Sequence, residues 1–334
     1  MNQCCERSEA ITMSLPTRPL PNKGRGEEGL LPSYHIPVLL NEATQGLQLR
    51  AGGYFVDCTV GLGGHALAIL EASPSGKLLG IDADPEALKI AEIRLSDYRE
   101  AVTLVNDNFA NLEAICTKYH FRPVDGILFD LGVSSLQLDT ARRGFSFQHD
   151  APLDMRFDPR QELTASDIVN TLPEEELARI LTKYGEERHS RQLARLIVQN
   201  RPFSTTTQLA QLAAVLGNKH SRIHPATRTF MALRIAVNKE LENLAASLRQ
   251  TISLLRPGGR LVVISYHSLE DRIVKQFMQR QASSCLCPPE AIICRCGHVP
   301  TLKLISRKVI RPTSLETESN PRCRSAKLRI AEQL

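Results

Sequence analysis

The chain of 334 residues contains no tryptophan, and aromatic residues make up only 5% of it. No apolar run approaches the ~20 residues of a membrane-spanning helix, which excludes such a helix. Residues 1–33 lack the apolar centre of a secretory signal peptide. They contain proline, glycine and charge without a sustained apolar period. We therefore predict a disordered N-terminal extension over residues 1–33, with Met13 as one candidate true start.

Cysteine is too sparse for a disulfide scaffold, because nine residues are distributed over a long chain. Their odd number and their clustering favour a reducing compartment, so we expect a cytoplasmic protein without a membrane partner. The net charge of +5 is mildly basic, which permits a nucleic-acid partner without requiring one. The length allows one large domain or two smaller ones.

The most informative stretch runs from Tyr54 to Asp84. A short apolar strand ends at Asp57, an apolar segment of helical length follows, and a second strand ends at Asp82. The turn between the first strand and the helix contains three glycines, Gly61, Gly63 and Gly64. Glycines let the backbone approach a ligand closely, and the start of the helix offers free N–H groups. An acid about 20 residues beyond the loop can accept hydrogen bonds from two ribose hydroxyls.

This β-α-β unit has alternative interpretations. The spacing Gly61-x-Gly63-x-x-Ala66 also fits the dinucleotide fingerprint, so a nicotinamide cofactor stays possible, as does a plain strand-to-helix turn. Two other features favour a methyltransferase. The turn Arg256-Pro-Gly-Gly259 before the fifth strand is common in S-adenosylmethionine enzymes. Two strand-like runs near the C terminus, from Leu302 and from Ala326, suit a seven-stranded sheet with one reversed strand.

Two further side chains follow predicted strands of a parallel sheet, whose loops face the ligand crevice. Phe109 follows the third strand, where it could cover a purine ring or simply pack in the core. Asp130 ends the fourth strand, which would place it beside the reactive end of a cofactor. Its alternative role is to cap the next helix.

The α/β rhythm stops near residue 140 and returns near Pro225. We predict a class I (Rossmann-like) α/β sheet whose first part spans residues 34–139 and whose second part spans 225–334. A helical insertion for RNA recognition would occupy residues 140–224. After it, the apolar spacing predicts one long helix from about Phe230 to Leu248.

Eight longer motifs occur in one order along the chain. They are His35-Ile-Pro-Val-Leu-Leu40, Asp57-x-Thr-x-Gly-x-Gly-Gly-His65, Asp130-Leu-Gly-Val-Ser-Ser135, Arg143-Gly-Phe-Ser-Phe147, Pro152-Leu-Asp-Met-Arg156, Tyr184-Gly-Glu-Glu-Arg188, His224-Pro-Ala-Thr-Arg-Thr-Phe230 and Ile264-Ser-Tyr-His-Ser-Leu-Glu-Asp-Arg-Ile-Val-Lys275. Together they resemble the MraW family of bacterial 16S ribosomal RNA (cytosine-N4)-methyltransferases. The resemblance covers about residue 34 to the end.

The resemblance implies an S-adenosylmethionine-dependent enzyme that methylates the exocyclic N4 of a P-site cytidine in the decoding centre. It implies 16S ribosomal RNA as the partner, within the assembled 30S subunit, and no DNA partner. Carried onto this chain, the cofactor contacts of the family fall on Gly63, Gly64, His65, Asp82, Phe109, Asp130 and Gln137. The residues alone would not have indicated His65 or Gln137.

The cytosine amine is a poor nucleophile because its lone pair is delocalised into the ring. Catalysis has to align the amine with the methyl donor and accept its hydrogen bonds as it pyramidalises. Many amino-methyltransferases have Asp/Asn-Pro-Pro-aromatic after strand four, whereas Asp130 is followed by Leu-Gly-Val. The catalytic candidate is Asp130, which could equally be a cofactor contact alone. An aromatic shelf for the base would come from Phe145, Phe147 or Tyr266.

Several polar features have two interpretations. His267 could be a general base, but we favour a structural role beside strand five. Asp154 and Arg156 could order a loop over the cofactor or contact RNA phosphate, or could form an internal ion pair. Residues 272–334 carry twelve Lys/Arg against four Asp/Glu, which favours RNA contact over a merely solvated face.

Four cysteines, Cys285, Cys287, Cys294 and Cys296, lie close together near the C terminus. Paired cysteines suit zinc, but structural zinc sites usually space each pair by two to four residues. Here one residue separates each pair. We therefore expect a loop of reduced thiols and assign no metal site, with zinc as the alternative.

Overall fold

The computed structural model describes residues 36–216, 224–288, 290–291 and 293–334. The predicted extension over 1–33, including Met13, lies outside the described residues, as does His35. No helix in the described ranges is long and apolar enough to cross a membrane.

The described residues contain one seven-stranded sheet, in the spatial order β3-β2-β1-β4-β5-β7-β6. Strands β1 to β5 are parallel, and β7 runs antiparallel to both of its neighbours. The strands are β1 Tyr54–Asp57, β2 Lys77–Asp82, β3 Val102–Asn106, β4 Val124–Asp130, β5 Leu255–Ser265, β6 Leu302–Leu304 and β7 Lys327–Gln333. The predicted class I sheet with one reversed strand is thus confirmed.

The helices divide into those that cover the sheet and those that do not. Those that cover the sheet are α1 Leu40–Leu47, α2 Gly64–Ala72, α3 Pro85–Arg94, α4 Leu112–Lys118, α11 Glu240–Leu254 and α12 Ser268–Ala282. The others are α5 Ser135–Asp139, α6 Ala165–Thr171, α7 Glu174–Gly185, α8 Ser190–Gln199, α9 Thr206–Val215, α10 Ala226–Asn238 and α13 Ser314–Ser319.

The central strands are apolar on both faces because helices cover both. Successive residues of a strand point to opposite faces, so Phe55 belongs to the core under α1, α2 and α3, whereas Val56 belongs to the core under α4, α11 and α12. Ile127 and Leu128 on β4 divide in the same way. This double covering leaves the carboxyl ends of the strands as the place for a site.

A third apolar core lies among α6 to α10 and contains Leu177, Leu193, Leu209 and Phe230. Helical segments therefore interrupt the sheet between β4 and β5, as predicted. The core of these helices extends beyond residue 224, to Val237 on α10. The division into 34–139, 140–224 and 225–334 stays a prediction.

The prediction of one long helix from Phe230 to Leu248 is wrong. Helix α10 ends at Asn238, Lys239 has a left-handed φ of 50°, and α11 begins at Glu240. The Asn238 side chain donates to the Met155 carbonyl (2.7 Å) and accepts from the Phe157 N–H (2.7 Å). These contacts with a loop distant in sequence fix the break, which local apolar spacing does not reveal.

Candidate active site

A cavity of about 580 Å³ opens at the carboxyl ends of β1, β2 and β4. This volume lies in the range of small-molecule sites. Six of the seven residues predicted to contact a cofactor line it, namely Gly64, His65, Asp82, Phe109, Asp130 and Gln137. Gly63 is buried behind the wall, where its N–H donates to the Val60 carbonyl (2.8 Å). The structure thus brings the predicted residues to one edge of the sheet.

The glycine loop has a shape that side chains would disturb. Gly61 and Gly63 have φ values of +51° and +79°, which favour glycine. A Cβ added to Gly64 would lie 2.5 Å from Cγ of Pro37, which precedes α1 and packs against the loop. The N–H of Gly61 donates to Oδ2 of Asp82 (2.8 Å). The first turn of the β-α-β unit is therefore tied to the tip of β2.

Asp82 is held by backbone groups on both of its oxygens. Gly61 donates to Oδ2, and the Asp84 N–H donates to Oδ1 (2.8 Å). Each carboxylate oxygen can accept two hydrogen bonds, so both keep capacity for a ligand hydroxyl. Burial raises the pKa of Asp82 to about 6, although these hydrogen bonds oppose the shift.

Asp130 lies at the tip of β4 with two side chains against its carboxyl group. The Tyr266 hydroxyl donates to Oδ1 (2.8 Å), and His65 Nδ1 lies 3.5 Å from Oδ2. Burial raises the pKa of Asp130 to about 7, despite the lowering effect of Tyr266. The Thr59 hydroxyl accepts the Asp130 N–H (2.7 Å), which fixes the strand end.

The protonation of His65 follows from its contacts. Nε2 lies 3.1 Å from the Val38 carbonyl, which can only accept, so Nε2 carries the proton. Burial lowers the pKa of His65, which favours the neutral ring. Its bare Nδ1 then faces Asp130, and this contact is attractive when the Asp130 carboxyl holds a proton.

Asp57 is the buried acid that the site prediction omitted. It is 0% exposed, and its Oδ2 has no hydrogen-bond partner within the described part of the chain. Burial raises its pKa to about 7, while His65 opposes the shift. Its position at the end of β1, directly before the glycine loop, was the sequence signal that could have identified it.

Gln137 has its amide group engaged within the protein. Its Nε2 donates to Oδ2 of Asp84 (2.9 Å), and its Oε1 accepts the Ser134 N–H (3.0 Å). Asp84 is fully buried and also forms an ion pair with Arg143 (2.9 Å). Arg143 in turn donates to the Arg156 carbonyl (3.0 Å). Gln137 lines the cavity as predicted, and the same side chain helps to join the β2 tip to the loop after β4.

The aromatic residues near the cavity divide by burial. Phe109 lines it and also packs edge-on against core residue Phe129 at 5.7 Å, so its contact with a purine stays a prediction alongside its packing role. Phe145 is buried and stacked on Phe157 at 5.5 Å. Phe147 is half-buried, with its ring 4.7 Å from that of His224. Phe147 is therefore a better shelf candidate than Phe145.

His267 has a structural role at the start of α12. Its Nδ1 accepts the Glu270 N–H (3.4 Å), and its Nε2 lies 3.1 Å from Glu270 Oε1. Glu240 is also close enough for these three residues to resemble a metal site. However, Arg234 donates two hydrogen bonds to Glu240 (2.8 and 2.9 Å). This buried cation compensates the carboxylates, and we assign no metal there.

Asp154 and Arg156 form an internal ion pair, which was one of the alternatives that the sequence left open. Arg156 donates from Nε to Oδ1 (2.9 Å) and from Nη2 to Oδ2 (2.7 Å). Its Nη1 donates to the carbonyls of Pro159 and Gln161. This loop is also held by Asn238, which no sequence pattern indicated.

The basic C-terminal segment is only partly neutralised. Lys327 and Arg329 pair with Asp271, and Arg322 pairs with Asp139. Arg307, Lys308 and Arg311 are exposed and have no ion pair with the described residues. These three side chains are available to phosphate groups.

The cavity fits a nucleoside that carries positive charge. Asp82 offers acceptors for ribose hydroxyls, and Phe109 offers an apolar wall. Asp57 and Asp130 lack a Lys or Arg partner within ion-pair distance among the described residues. A positive centre on the ligand would favour their charged forms.

Comparisons with known proteins identify the family of the chain. A family described as the MraW methylase family matches residues 32–334. A Dehalococcoides mccartyi protein named Ribosomal RNA small subunit methyltransferase H is 58% identical over 302 residues, covering 90% of this chain and 86% of that relative. Relatives with the same name from Thermomicrobium roseum and Syntrophotalea carbinolica are 54% and 52% identical. Those matches cover 92% and 90% of this chain, and 96% and 98% of the relatives.

Proposed function

This chain belongs to the MraW methylase family, and we propose that it methylates the exocyclic N4 of a P-site cytidine in 16S ribosomal RNA. The predicted family and the predicted methyl donor, S-adenosylmethionine, are confirmed. The donor supplies a methyl group on a positively charged sulfonium centre. The proposal adds the acceptor atom, the position in the decoding centre and the 30S subunit as the form of the substrate.

The residues that would hold the donor come from four strand ends. Asp82 would accept from its ribose, Phe109 would cover its purine, and the Gly64–His65 backbone would lie against it. Asp130 on the cavity wall would face positive charge, which offsets its unfavourable burial. Gly63 and Gln137, which the family resemblance selected, would support this wall through the contacts described above.

One observation supports transfer to an amine most strongly: the Asp130 carboxyl lines the cavity and receives the Tyr266 hydrogen bond. Tyr266 fixes the orientation of the carboxyl group. An ionised Asp130 would accept a hydrogen bond from the cytosine amine and orient its lone pair toward the methyl group. As the amine becomes positive, the negative charge nearby stabilises it.

The RNA would approach from the side of the inserted helices. Phe147, half-buried at the cavity, would stack on the base, and base–aromatic stacking contributes about 1–3 kcal/mol. Arg307, Lys308 and Arg311 would contact phosphates, which makes binding weaken as salt rises.

The substrate is tested with labelled S-adenosylmethionine and four acceptors: 30S subunits from cells lacking this activity, free 16S RNA, DNA and ribosomal protein. We expect label in 30S particles, recovered as N4-methylcytidine after digestion to nucleosides. Label on another nucleoside would contradict the acceptor atom. Label in protein or DNA would indicate a different amino-methyltransferase. Donor binding without transfer to any acceptor would indicate an assembly factor.

A further inference from the structure

A second cluster of reactive side chains lies in the loop between α12 and β6. The Sγ atoms of Cys285, Cys287, Cys294 and Cys296 all lie within 4.8 Å of one another. Four of the separations are 3.4, 3.5, 3.9 and 3.9 Å. A tetrahedron of sulfurs around Zn²⁺ with Zn–S bonds of about 2.3 Å has edges of about 3.8 Å. The four sulfurs thus already have the spacing of a zinc site.

The short interval within each pair does not prevent shared ligation. The two sulfurs of Cys294-x-Cys296 lie 3.5 Å apart, although one residue separates these cysteines. Three separations between the two pairs are comparable, at 3.4, 3.9 and 3.9 Å. The observed geometry therefore favours zinc binding, which the sequence spacing alone had made the weaker alternative.

Backbone groups surround the sulfurs as they would surround thiolates. The N–H of Leu286 donates to Cys296 Sγ (3.3 Å), and the N–H of Arg295 donates to Cys287 Sγ (3.4 Å). The Cys287 N–H donates to Cys285 Sγ (3.4 Å). Such donors stabilise the negative charge of metal-bound sulfur and orient it.

Disulfides fit the cluster poorly. A disulfide has an S–S length of about 2.05 Å, well below the separations observed. Other described cysteines, Cys58, Cys116 and Cys323, are buried elsewhere in the core. The four sulfurs form one cluster, and none of the separations given above is at bonding distance.

Few other contacts hold the described residues of this loop. Its base is tied to α12, where the Thr301 N–H donates to the Gln281 carbonyl (2.9 Å) and His298 contacts the Arg280 carbonyl. Between these ties, Ile293 and Val299 are 66% and 72% exposed. The described residues of this loop contain no helix or strand. A segment without its own apolar core commonly gains its fold from a metal.

We propose that Cys285, Cys287, Cys294 and Cys296 bind one structural Zn²⁺ as four thiolates, which fixes the loop between α12 and β6. The site is separate from the cavity. The cavity adjoins the start of α12, and 15 residues of helix span about 22 Å. Zinc there would order the loop beside Arg280 and Arg295 without contacting the methyl donor.

The test begins with the full-length protein, purified under reductant and without chelator from cells supplied with zinc. Elemental analysis is expected to give one zinc per chain. Cys287→Ser and Cys294→Ser should each reduce the zinc content at least tenfold. Cys323→Ser, which changes a cysteine outside the loop, should retain it.

Two further measurements test metal binding in the purified protein, so they do not depend on the zinc supplied during expression. Cobalt added to metal-free, reduced protein should give the charge-transfer absorption of thiolate-bound, tetrahedral Co²⁺, lost in Cys287→Ser. Zinc should also slow hydrogen exchange in residues 283–301 without changing exchange in β1 or β4. Donor affinity should change less than about twofold.

The proposal is overturned by a folded, reduced protein that contains no zinc and shows no cobalt–thiolate absorption. Full zinc content in Cys287→Ser and Cys294→Ser would also overturn it. Iron in place of zinc would contradict the choice of metal. None of these results depends on the acceptor of the methyl group, so the proposed function would stand or fall separately.

Discussion

Two sets of carboxylates in the molecule differ in their partners. Asp84 and Asp154 each bind an arginine, Arg143 at 2.9 Å and Arg156 at 2.7 Å. Asp57, Asp82 and Asp130 lie at strand ends, and no Lys or Arg of the described chain lies within ion-pair distance of them. Of these five acids, Asp82 and Asp130 line the cavity, and both lack such a partner.

The pKa shifts follow this difference. Burial raises the pKa values of Asp57 and Asp130 to about 7 and that of Asp82 to about 6. Burial also acts on Asp154, but the hydrogen bonds and charge of Arg156 outweigh it and lower the pKa. Paired acids thus stabilise the loops around the site, whereas the unpaired Asp82 and Asp130 on the cavity wall are available to a positively charged ligand.

The largest expected effect comes from breaking a compensated pair. Arg143→Ala leaves Asp84, which is 0% exposed, as an unpaired buried charge. We expect a loss of about 3–5 kcal/mol in the free energy of unfolding, measured by chemical denaturation. Arg160→Ala removes a pair whose arginine is 63% exposed to solvent, and it should cost far less. Equal losses would contradict the distinction between the pairs.

An uncompensated acid should instead control turnover. Asp130→Asn keeps the shape of the side chain but removes its charge, and we expect kcat for methyl transfer to fall on the order of 10²-fold. Donor affinity should change much less, as measured by calorimetry. Tyr266→Phe removes only the supporting hydrogen bond and should retain more activity. If Asp130→Asn lost donor binding and kcat in proportion, Asp130 would be a cofactor contact alone.

A smaller effect is expected at Asp82. Asp82→Ala removes the ribose acceptor, and a hydrogen bond to a charged group contributes about 1.5–3 kcal/mol. Donor affinity measured by calorimetry should fall by a corresponding factor. Asp97→Ala, which changes an exposed acid before β3, is the matched control and should leave affinity unchanged. Unchanged affinity in Asp82→Ala would count against the placement of the ribose.

The sequence predicted the unpaired acids at the strand ends better than the acids that bind an arginine. Asp82 and Asp130 could be identified because parallel strands bring their carboxyl ends to one edge, so position along the chain implies position in the site. The pairing of Asp84 with Arg143 joins residues from separate loops. No periodic pattern encodes that contact.

The break between α10 and α11 also results from a contact between residues that are distant in sequence. Val237, Leu241 and Leu244 continue helical spacing across Lys239, so local pattern predicts an unbroken helix. Asn238 ends α10 by binding Met155 and Phe157, more than 80 residues earlier in the chain. Sequence therefore predicted the sheet and two of the acids that end its strands, Asp82 and Asp130. The side chains that fix the inserted loops depend on tertiary contacts.

The most direct test of the account is the pH dependence of donor binding. A cation binds more strongly to ionised carboxylates, so S-adenosylmethionine affinity should rise as pH increases from about 5 to 8, through the raised pKa values of Asp57, Asp82 and Asp130. A ligand-induced shift of one pKa unit corresponds to about tenfold in affinity. S-adenosylhomocysteine lacks the sulfonium charge and should show a weaker dependence under the same calorimetric conditions. Identical pH profiles for the two ligands would contradict the claim that uncompensated carboxylates receive the positive charge.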